Sequence, residues 1–264
     1  VGNLLGGDVG DRWGRKEAVL ICYCGVFAFG LLSAGAVGYY SMALPRFGVG
    51  VAFGIGVPCW NALSSELSPS YWRILINTVS GLMFPLGEMF SVLLLWTVDP
   101  TLQDLPWRQL LVVSSLPALA FLIGAVFLLD PSPMLLATKG RDEEARDVLR
   151  AMAKSNGAEH VDVRFRPVSR QSPAESSLWQ ALRIFNSELC FSTAVVAYAC
   201  GVLNFIYYGC CYAFPLILHE LNFGSSPAAE LFFGCVWEVI GGLLAVFVGM
   251  GMKRKSAMKF FASL

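Results

Sequence analysis

Six long apolar stretches, separated by polar segments, dominate the chain. Each has at least 20 residues, the length that an α-helix needs to cross a bilayer, whereas a membrane-spanning strand needs only about 10 residues of alternating polarity. We therefore predict an all-α fold, a polytopic membrane helical bundle with six complete spans. The predicted spans are Ala18–Tyr40, Met42–Leu67, Ile74–Val98, Leu110–Leu129, Leu189–Leu218 and Ala228–Gly251.

The two ends of the chain are apolar as well. Val1–Leu5 and Ala257–Leu264 are interpreted as the broken ends of two further helices, so the sequence is expected to be an internal piece of a longer protein. The longest polar segment divides the spans into two groups. The predicted parts are an N-terminal bundle portion at 1–129, a loop at 130–186 and a C-terminal bundle portion at 187–264.

The central loop contains one further predicted helix. In "RDEEARDVLRAMAK" the apolar residues Ala145, Val148, Leu149 and Met152 share one face, which is typical of an amphipathic helix. Acidic residues stand at its start and basic residues near its end, as the helix dipole favours.

The cations are distributed unevenly between the two sides of the predicted bundle. Seventeen of the nineteen lysines and arginines fall in the loops on the side of the first polar segment, and Arg46 and Arg108 are the exceptions. Cytoplasmic loops carry such an excess. We therefore expect the central loop to be cytoplasmic, in the plasma membrane or an intracellular vesicle membrane, and Tyr39–Ser41, Asp99–Arg108 and His219–Ser226 to face the opposite side.

Composition excludes several function classes. The chain is 56% hydrophobic and 14% charged with a formal net charge of zero, so no basic surface for nucleic acid is expected. The eight cysteines lie in the apolar stretches without a C-x-x-C pair, and the two histidines, His160 and His219, are far apart. No metal site, cofactor or catalytic constellation is predicted, and an enzyme is not expected.

The first polar segment, "GGDVGDRWGRK", concentrates charge in a very short turn between two helices. Glycines permit close approach there, and the cations suit the anionic inner leaflet. By spacing alone this segment has a second interpretation, a loop that only sets topology. Its most specific feature is the pattern Gly7-x-x-x-Asp11-Arg12-x-Gly14-Arg15-Lys16.

That pattern resembles the cytoplasmic signature loop between the second and third helices of the major facilitator superfamily. The resemblance assigns the six spans as helices three to eight of twelve, with the loop at 130–186 as the family's central loop. Arg46, Glu66 and Arg73 match charged positions of the sugar and organic-ion porters, and "LDPSPMLLATKGRDEEARDVL" is similar to another stretch of that branch. "KSNGAEH" and "NFIYYGCCY" resemble the synaptic vesicle 2-related and organic cation/anion transporters.

The second half departs from the family pattern. "VGMGMKRK" keeps the cations of the repeated signature loop without its aspartate, and Glu238 is followed by Val-Ile-Gly where the family has a proline. A non-transporting receptor or scaffold that retains the fold is therefore the alternative to a transporter.

The resemblance implies secondary active transport of a small organic solute, such as an organic ion, by alternating access, with coupling to protons or ions. The expected partners are that solute and the lipid bilayer. The implied gating motif contains Gly7, Asp11, Arg12, Gly14, Arg15 and Lys16. Its expected partners in a cytoplasmic charge network are Glu66, Arg73 and Asp130, with Asp11 and Arg12 holding that side closed.

Two acids lie near the middle of predicted spans. A carboxylate at mid-membrane is costly, so Glu88 and Glu238 are expected to line a central pathway and to act on a cation or a proton. Asn204, Tyr207 and Tyr208 are candidates for hydrogen bonds and aromatic contacts to an organic cation. The alternative is that the acids only bond a neighbouring helix.

Overall fold

The computed structural model describes residues 1–69, 71–158, 185–186, 189–221, 226–252 and 256. The segment Ala257–Leu264 and the later part of the central loop, with His160, lie outside the described residues. The described segments form nine α-helices and contain no strand. The helices are α1 (Gly2–Arg12), α2 (Arg15–Ala34), α3 (Tyr39–Leu67), α4 (Arg73–Val98), α5 (Trp107–Leu128), α6 (Pro133–Thr138), α7 (Asp142–Ser155), α8 (Cys190–Leu221) and α9 (Pro227–Gly251).

Within the described ranges, six of the helices are long and apolar enough to span a membrane, as predicted: α2, α3, α4, α5, α8 and α9. The bounds of α2 differ most from the apolar stretch, because the helix begins at Arg15 and ends at Ala34. Its first turn is polar yet helical, whereas Gly35 follows its last residue and Gly38 caps the next helix. In α2, therefore, the glycines after the helix predict its end better than the polar residues of its first turn predict its start.

The described residues divide into two compact units. The first takes the described parts of Val1–Pro69 and Leu111–Trp179, and the second takes those of Ser70–Leu110 and Gln180–Leu264. Neither unit is continuous in sequence. The three sequence-continuous parts at 1–129, 130–186 and 187–264 stay a prediction.

Small residues bring α1, α2 and α3 together in the first unit. A Cβ on Gly6 would lie 2.6 Å from the carbonyl oxygen of Ile55, and one on Gly56 would lie 2.4 Å from the sulfur of Cys22. Ala18 and Cys59 are fully buried between the same helices. Close approach through small residues is a common way to pack membrane helices, because it increases van der Waals contact where water is absent.

The two short helices α6 and α7 form a helical hairpin within the first unit. Leu136 and Ala137 of α6 pack against Ala145 and Val148 of α7, which confirms the predicted amphipathic helix and its apolar face. Gly140 stands between the helices with a φ of 75°, a conformation that glycine adopts without strain. The helix α6 itself was not predicted.

In the second unit, α4 packs along α9. A Cβ on Gly242 would lie 2.3 Å from Cδ2 of Leu82, and the rings of Trp96 and Phe232 have their centroids 5.5 Å apart. The amide of Ala228 donates to the carbonyl oxygen of Pro100 at 3.3 Å, near the start of α9. These contacts bring the middle of α4 beside the middle of α9.

Candidate functional site

A cluster of charges surrounds the turn between α1 and α2. Nη2 of Arg15 lies 2.7 Å from Oδ1 of Asp11, and its Nε lies 3.7 Å from Oε1 of Glu66 on α3. The side chains of Arg15 and Glu66 are only 16% and 17% exposed, whereas that of Asp11 is 57% exposed. Arg15 therefore joins the turn to α3 through a largely buried ion pair. Buried pairs depend on further hydrogen bonds to offset desolvation.

Glu66 receives such a hydrogen bond from α6. The hydroxyl of Ser132, which is 2% exposed, donates to Oε2 of Glu66 at 2.5 Å and accepts from the amide of Leu135 at 3.1 Å. Ser132 is thus the N-cap of α6 and a donor to the ion pair at once. At the other end of α6, Nζ of Lys139 donates to the carbonyl oxygen of Arg12 at 2.8 Å. The helix α6 is attached to the α1–α2 region at both ends.

The remaining residues of the predicted gating motif occupy separate environments. Nε of Arg12 lies 2.9 Å from Oδ1 of Asp8, and Nζ of Lys16 donates to the carbonyl oxygen of Val126 at 3.3 Å. Gly14 has a φ of 136°, which side-chain-bearing residues rarely adopt, and it stands directly before α2. Gly7 lies within α1, although its neighbours Gly6 and Gly10, rather than Gly7 itself, are buried against α3.

Of the three expected network partners, Glu66 contacts the motif, and it does so through Arg15, whereas Asp11 and Arg12 are the residues predicted to hold the side closed. Asp130 is exposed two residues before Ser132, and Arg73 is exposed at the start of α4 in the second unit. The network of Glu66, Arg73 and Asp130 stays a prediction as a functional assignment.

The second unit holds a cavity of about 860 Å³ between α4, α8 and α9. Both mid-span acids line it. Glu88 is the fourteenth of the 24 residues of the span Leu75–Val98, and Glu238 is the twelfth of the 22 residues of Pro227–Val248. The structure therefore brings together two carboxyl groups that are far apart in sequence and both lie at mid-span.

Tyr207 of α8 contacts one of the two acids. Its hydroxyl donates to Oε1 of Glu88 at 2.6 Å, and Glu238 lines the same cavity. The ring of Tyr207 packs against Phe84, with centroids 5.9 Å apart. One wall of the cavity thus combines acidic, phenolic and aromatic groups.

Two of the predicted pathway residues lie elsewhere. The amide nitrogen of Asn204 donates to the carbonyl oxygen of Cys200 in its own helix at 2.7 Å, and Tyr208 packs edge-on against Tyr207 with centroids 5.3 Å apart. Neither is among the described residues that line the cavity. Both assignments stay predictions.

The cavity also contains residues that sequence reasoning missed. Glu230, Cys211 and Cys235 line the same cavity. The position of Glu230, eight residues or about two helical turns before Glu238, was a usable signal for a shared face. The described residues contain no group of three or more His, Cys, Asp or Glu side chains that could hold a metal ion.

Comparisons with known proteins agree with this architecture. Residues 1–258 match the family described as "Sugar (and other) transporter". The chain is 30% identical over 211 residues to the "Solute carrier family 22 member 15-like" protein of Xenopus tropicalis, over 79% of this chain and 41% of that protein. It is 37% identical over 155 residues to the "Synaptic vesicle 2-related protein" of Xenopus laevis, over 58% of this chain and 27% of that protein.

A solved structure extends the comparison to the fold. The xylose transporter XylE from E. coli, in a partially occluded inward-open conformation, is similar with a TM-score of 0.68 and 18% identity. The match covers 97% of this chain and 60% of that chain. At this identity the similarity concerns the fold, which is that of the major facilitator superfamily.

The chain therefore belongs to the sugar (and other) transporter family, and its fold is similar to that of a solved major facilitator superfamily protein. The predicted resemblance is confirmed, including relatives named for synaptic vesicle 2. The predicted fold class and the multi-pass membrane architecture are confirmed as well. The chain spans less than half the length of these two curated relatives.

Proposed function

We propose that this chain is part of a secondary active transporter that moves a small organic solute, most specifically an organic ion, across a membrane by alternating access. The observation that carries the proposal is the pair of mid-span acids, Glu88 and Glu238, on the wall of one cavity. A charged side chain at mid-membrane costs roughly 2.5–3.5 kcal/mol on insertion scales. Such groups belong to water-filled pathways, where they bind ions or carry protons.

The cavity wall favours a positively charged solute. Three carboxyl groups line it, and none of its described lining residues is a lysine, arginine or histidine. Phe84 and Tyr207 present aromatic faces, which attract organic cations through their quadrupoles. Relatives carry names that refer to different solutes, such as the "Major myo-inositol transporter IolT" of Bacillus subtilis. We therefore infer the charge of the solute from the residues that line the cavity and not from the names of the relatives.

In this proposal the charge cluster at the α1–α2 turn acts as a gate. Arg15, Glu66 and Ser132 connect α2, α3 and α6, so a movement of any one helix changes the contacts of the other two. We place this gate on the cytoplasmic side, because the loops on that side carry seventeen of the nineteen cations.

A receptor or scaffold with a retained transporter fold is the second candidate. The observation that favours it is "VGMGMKRK", where the second signature loop lacks its aspartate. A receptor or scaffold would bind its ligand without accumulating it in vesicles, whereas a transporter would accumulate its solute.

The test measures solute uptake by the complete protein in reconstituted vesicles between pH 5.5 and 8. An organic cation, an organic anion and a neutral analogue of similar size are compared. Glu88→Gln and Glu238→Gln should each reduce cation uptake and change its pH dependence, and Glu143→Gln, which alters an exposed acid of α7, should not. If both pathway variants keep the wild-type rate, selectivity and pH dependence, the acids are structural and the proposed pathway is wrong.

A further inference from the structure

We propose that Asp99 positions a latch that closes one end of the cavity between α4, α8 and α9. This end, where α4 ends and α9 begins, is called the outer end below. One part of the latch is a hydrogen bond, in which the amide of Ala228 donates to the carbonyl oxygen of Pro100 at 3.3 Å. The other part is the contact between the rings of Trp96 and Phe232, whose centroids are 5.5 Å apart. The inference rests on the proposed function, because it names the contact that must open for a solute to enter from this end.

The faces of α4 and α9 that line the cavity continue to its outer end and meet there. The described lining residues of α4 end at Val92, and Trp96 follows four residues later. On α9, Phe232 stands three residues before the lining residue Cys235. Residues three or four apart share a face of a helix. The packed rings therefore close the space between the two helices about one turn beyond the cavity.

The start of α9 takes one hydrogen bond from outside the helix. Pro227 has no amide hydrogen, and the amide of Ala229 donates to the hydroxyl of Ser226. The amide of Ala228, a completely buried residue, donates to the carbonyl oxygen of Pro100 instead. The first amides of a helix have no partner within it. Pro100 therefore caps α9 from the loop that follows α4.

The carboxylate of Asp99 sets the direction of that carbonyl group. Its Oδ1 accepts from the amide of Thr101 at 2.9 Å and from the hydroxyl of the same residue at 2.6 Å. Its Oδ2 accepts from the amides of Gln103 and Asp104 at 2.7 and 2.8 Å. The amide of Thr101 and the carbonyl of Pro100 belong to one planar peptide group, in which N–H and C=O point in opposite directions. Because Asp99 holds the N–H, the carbonyl oxygen points away from Asp99 and toward α9.

The latch joins two parts of the chain that alternating access would move apart. Its α4 side belongs to the predicted part at 1–129, and its α9 side belongs to the predicted part at 187–264. When the outer end opens, water replaces the bond between Ala228 and Pro100. The net effect of one such exchange is modest, and it changes the ratio of open to closed states by roughly 2- to 13-fold. A latch of this strength favours the closed end and still lets it open.

The first experiment measures access to the cavity from each side and needs no transport. The complete protein is reconstituted in vesicles with Cys211, which lines the cavity, as its only cysteine. An impermeant methanethiosulfonate reagent is applied from one side, and in separate samples from the other. Asp99→Ala should raise the labelling rate from the side of Asp99 by roughly 2- to 13-fold. The labelling rate from the other side should not rise.

Two further variants separate the latch from a general loosening of the fold. Gln103→Ala keeps the backbone amide that donates to Asp99, so its labelling should match that of the wild type. Asp99→Asn keeps one acceptor oxygen for the amide of Thr101, so its rise should be smaller than that of Asp99→Ala. This milder variant provides the test if Asp99→Ala does not fold. Wild-type rates in both Asp99 variants, an equal rise in Gln103→Ala, or a rise from both sides would overturn the latch.

The second experiment asks whether the latch must open for transport. Trp96→Cys and Phe232→Cys are combined in the complete protein without other cysteines, and a cleavable bifunctional thiol reagent joins the two positions. Crosslinking should reduce uptake of benzyltrimethylammonium to that of protein-free vesicles, and cleavage of the reagent should restore it. Each single-cysteine variant, treated in the same way, should keep its uptake.

The two experiments distinguish failure of the latch from failure of the proposed function. Uptake that continues in the crosslinked protein would overturn the latch and leave the proposed function in place. If neither the wild type nor any variant takes up the cation, but Asp99→Ala still raises labelling from its own side, the proposed function fails and the latch remains.

Discussion

Ser132 provides the sharpest quantitative test of the charge cluster, because its hydroxyl has two functions. Removing the N-cap bond to Leu135 should cost about 0.5–2 kcal/mol. Removing the hydrogen bond to the carboxylate of Glu66 should cost a further 1.5–3 kcal/mol or so, since bonds to charged groups exceed neutral ones. Ser132→Ala should therefore open α6 much more often than the loss of a cap alone.

The chain offers a matched control in Ser226. It also precedes a proline and caps a helix, with the amide of Ala229 donating to its hydroxyl at 3.3 Å. Ser226→Ala should show only the effect of a lost cap.

Native-state hydrogen exchange of the complete protein measures both effects, at the amides of Leu135 and Ala229. The difference of about 1.5–3 kcal/mol predicts an increase in exchange roughly 10- to 150-fold larger for Ser132→Ala than for Ser226→Ala. Ser132→Thr keeps the hydroxyl and should stay near the wild type. Equal increases in the two alanine variants would refute the argument that Ser132 stabilises the buried ion pair.

Three further predictions concern packing, pH and topology. Gly56→Ala should lower the free energy of unfolding by about 1–3 kcal/mol in a thermal melt in detergent, because the added Cβ would overlap Cys22. Gly50→Ala should not, because a Cβ at Gly50 meets nothing within 4 Å. Equal melting temperatures of the two variants would contradict the packing described. The hydroxyl of Thr101 and the backbone amides that follow it lower the pKa of Asp99 to about 2. Asp99 therefore contributes stability above its ordinary pKa that disappears as the pH falls from about 4 to about 2, and Asp99→Asn should show no such fall in melting temperature over that range. A cysteine at Ser41, in a background without reactive thiols, should be labelled by an impermeant reagent only from the side opposite the central loop; cytoplasmic labelling would contradict the topology.

The spans were predictable because each one carries its own signal. About 20 apolar residues suffice to indicate a transmembrane helix whatever the rest of the chain does. The bounds were less accurate where a polar first turn continues a helix, as at Arg15 in α2. The short helix α6 escaped prediction because six residues contain too little periodicity to register.

The sequence allowed us to predict which residues belong to the candidate sites, but not which of these residues contact one another. The mid-span positions of Glu88 and Glu238 follow from counting residues along each span. Their presence in one cavity depends on which helices pack together, and the sequence of a single span does not contain that information. In the charge cluster, Arg15 rather than Arg12 reaches Glu66. Arg15 opens α2 and follows Gly14, whose φ of 136° sets the direction in which the helix starts. No pattern of charges along the chain specifies that angle.

The most direct test of transport is counterflow. Vesicles that contain the complete protein and a high internal concentration of unlabelled benzyltrimethylammonium are diluted into a trace of the labelled cation. A transporter that alternates between two sides should produce a transient accumulation of label above the external concentration, and the Glu88→Gln, Glu238→Gln double variant should abolish it. If the wild-type protein takes up label no faster than protein-free vesicles, and also fails with an organic anion and a neutral analogue, then the chain does not transport and the account is wrong.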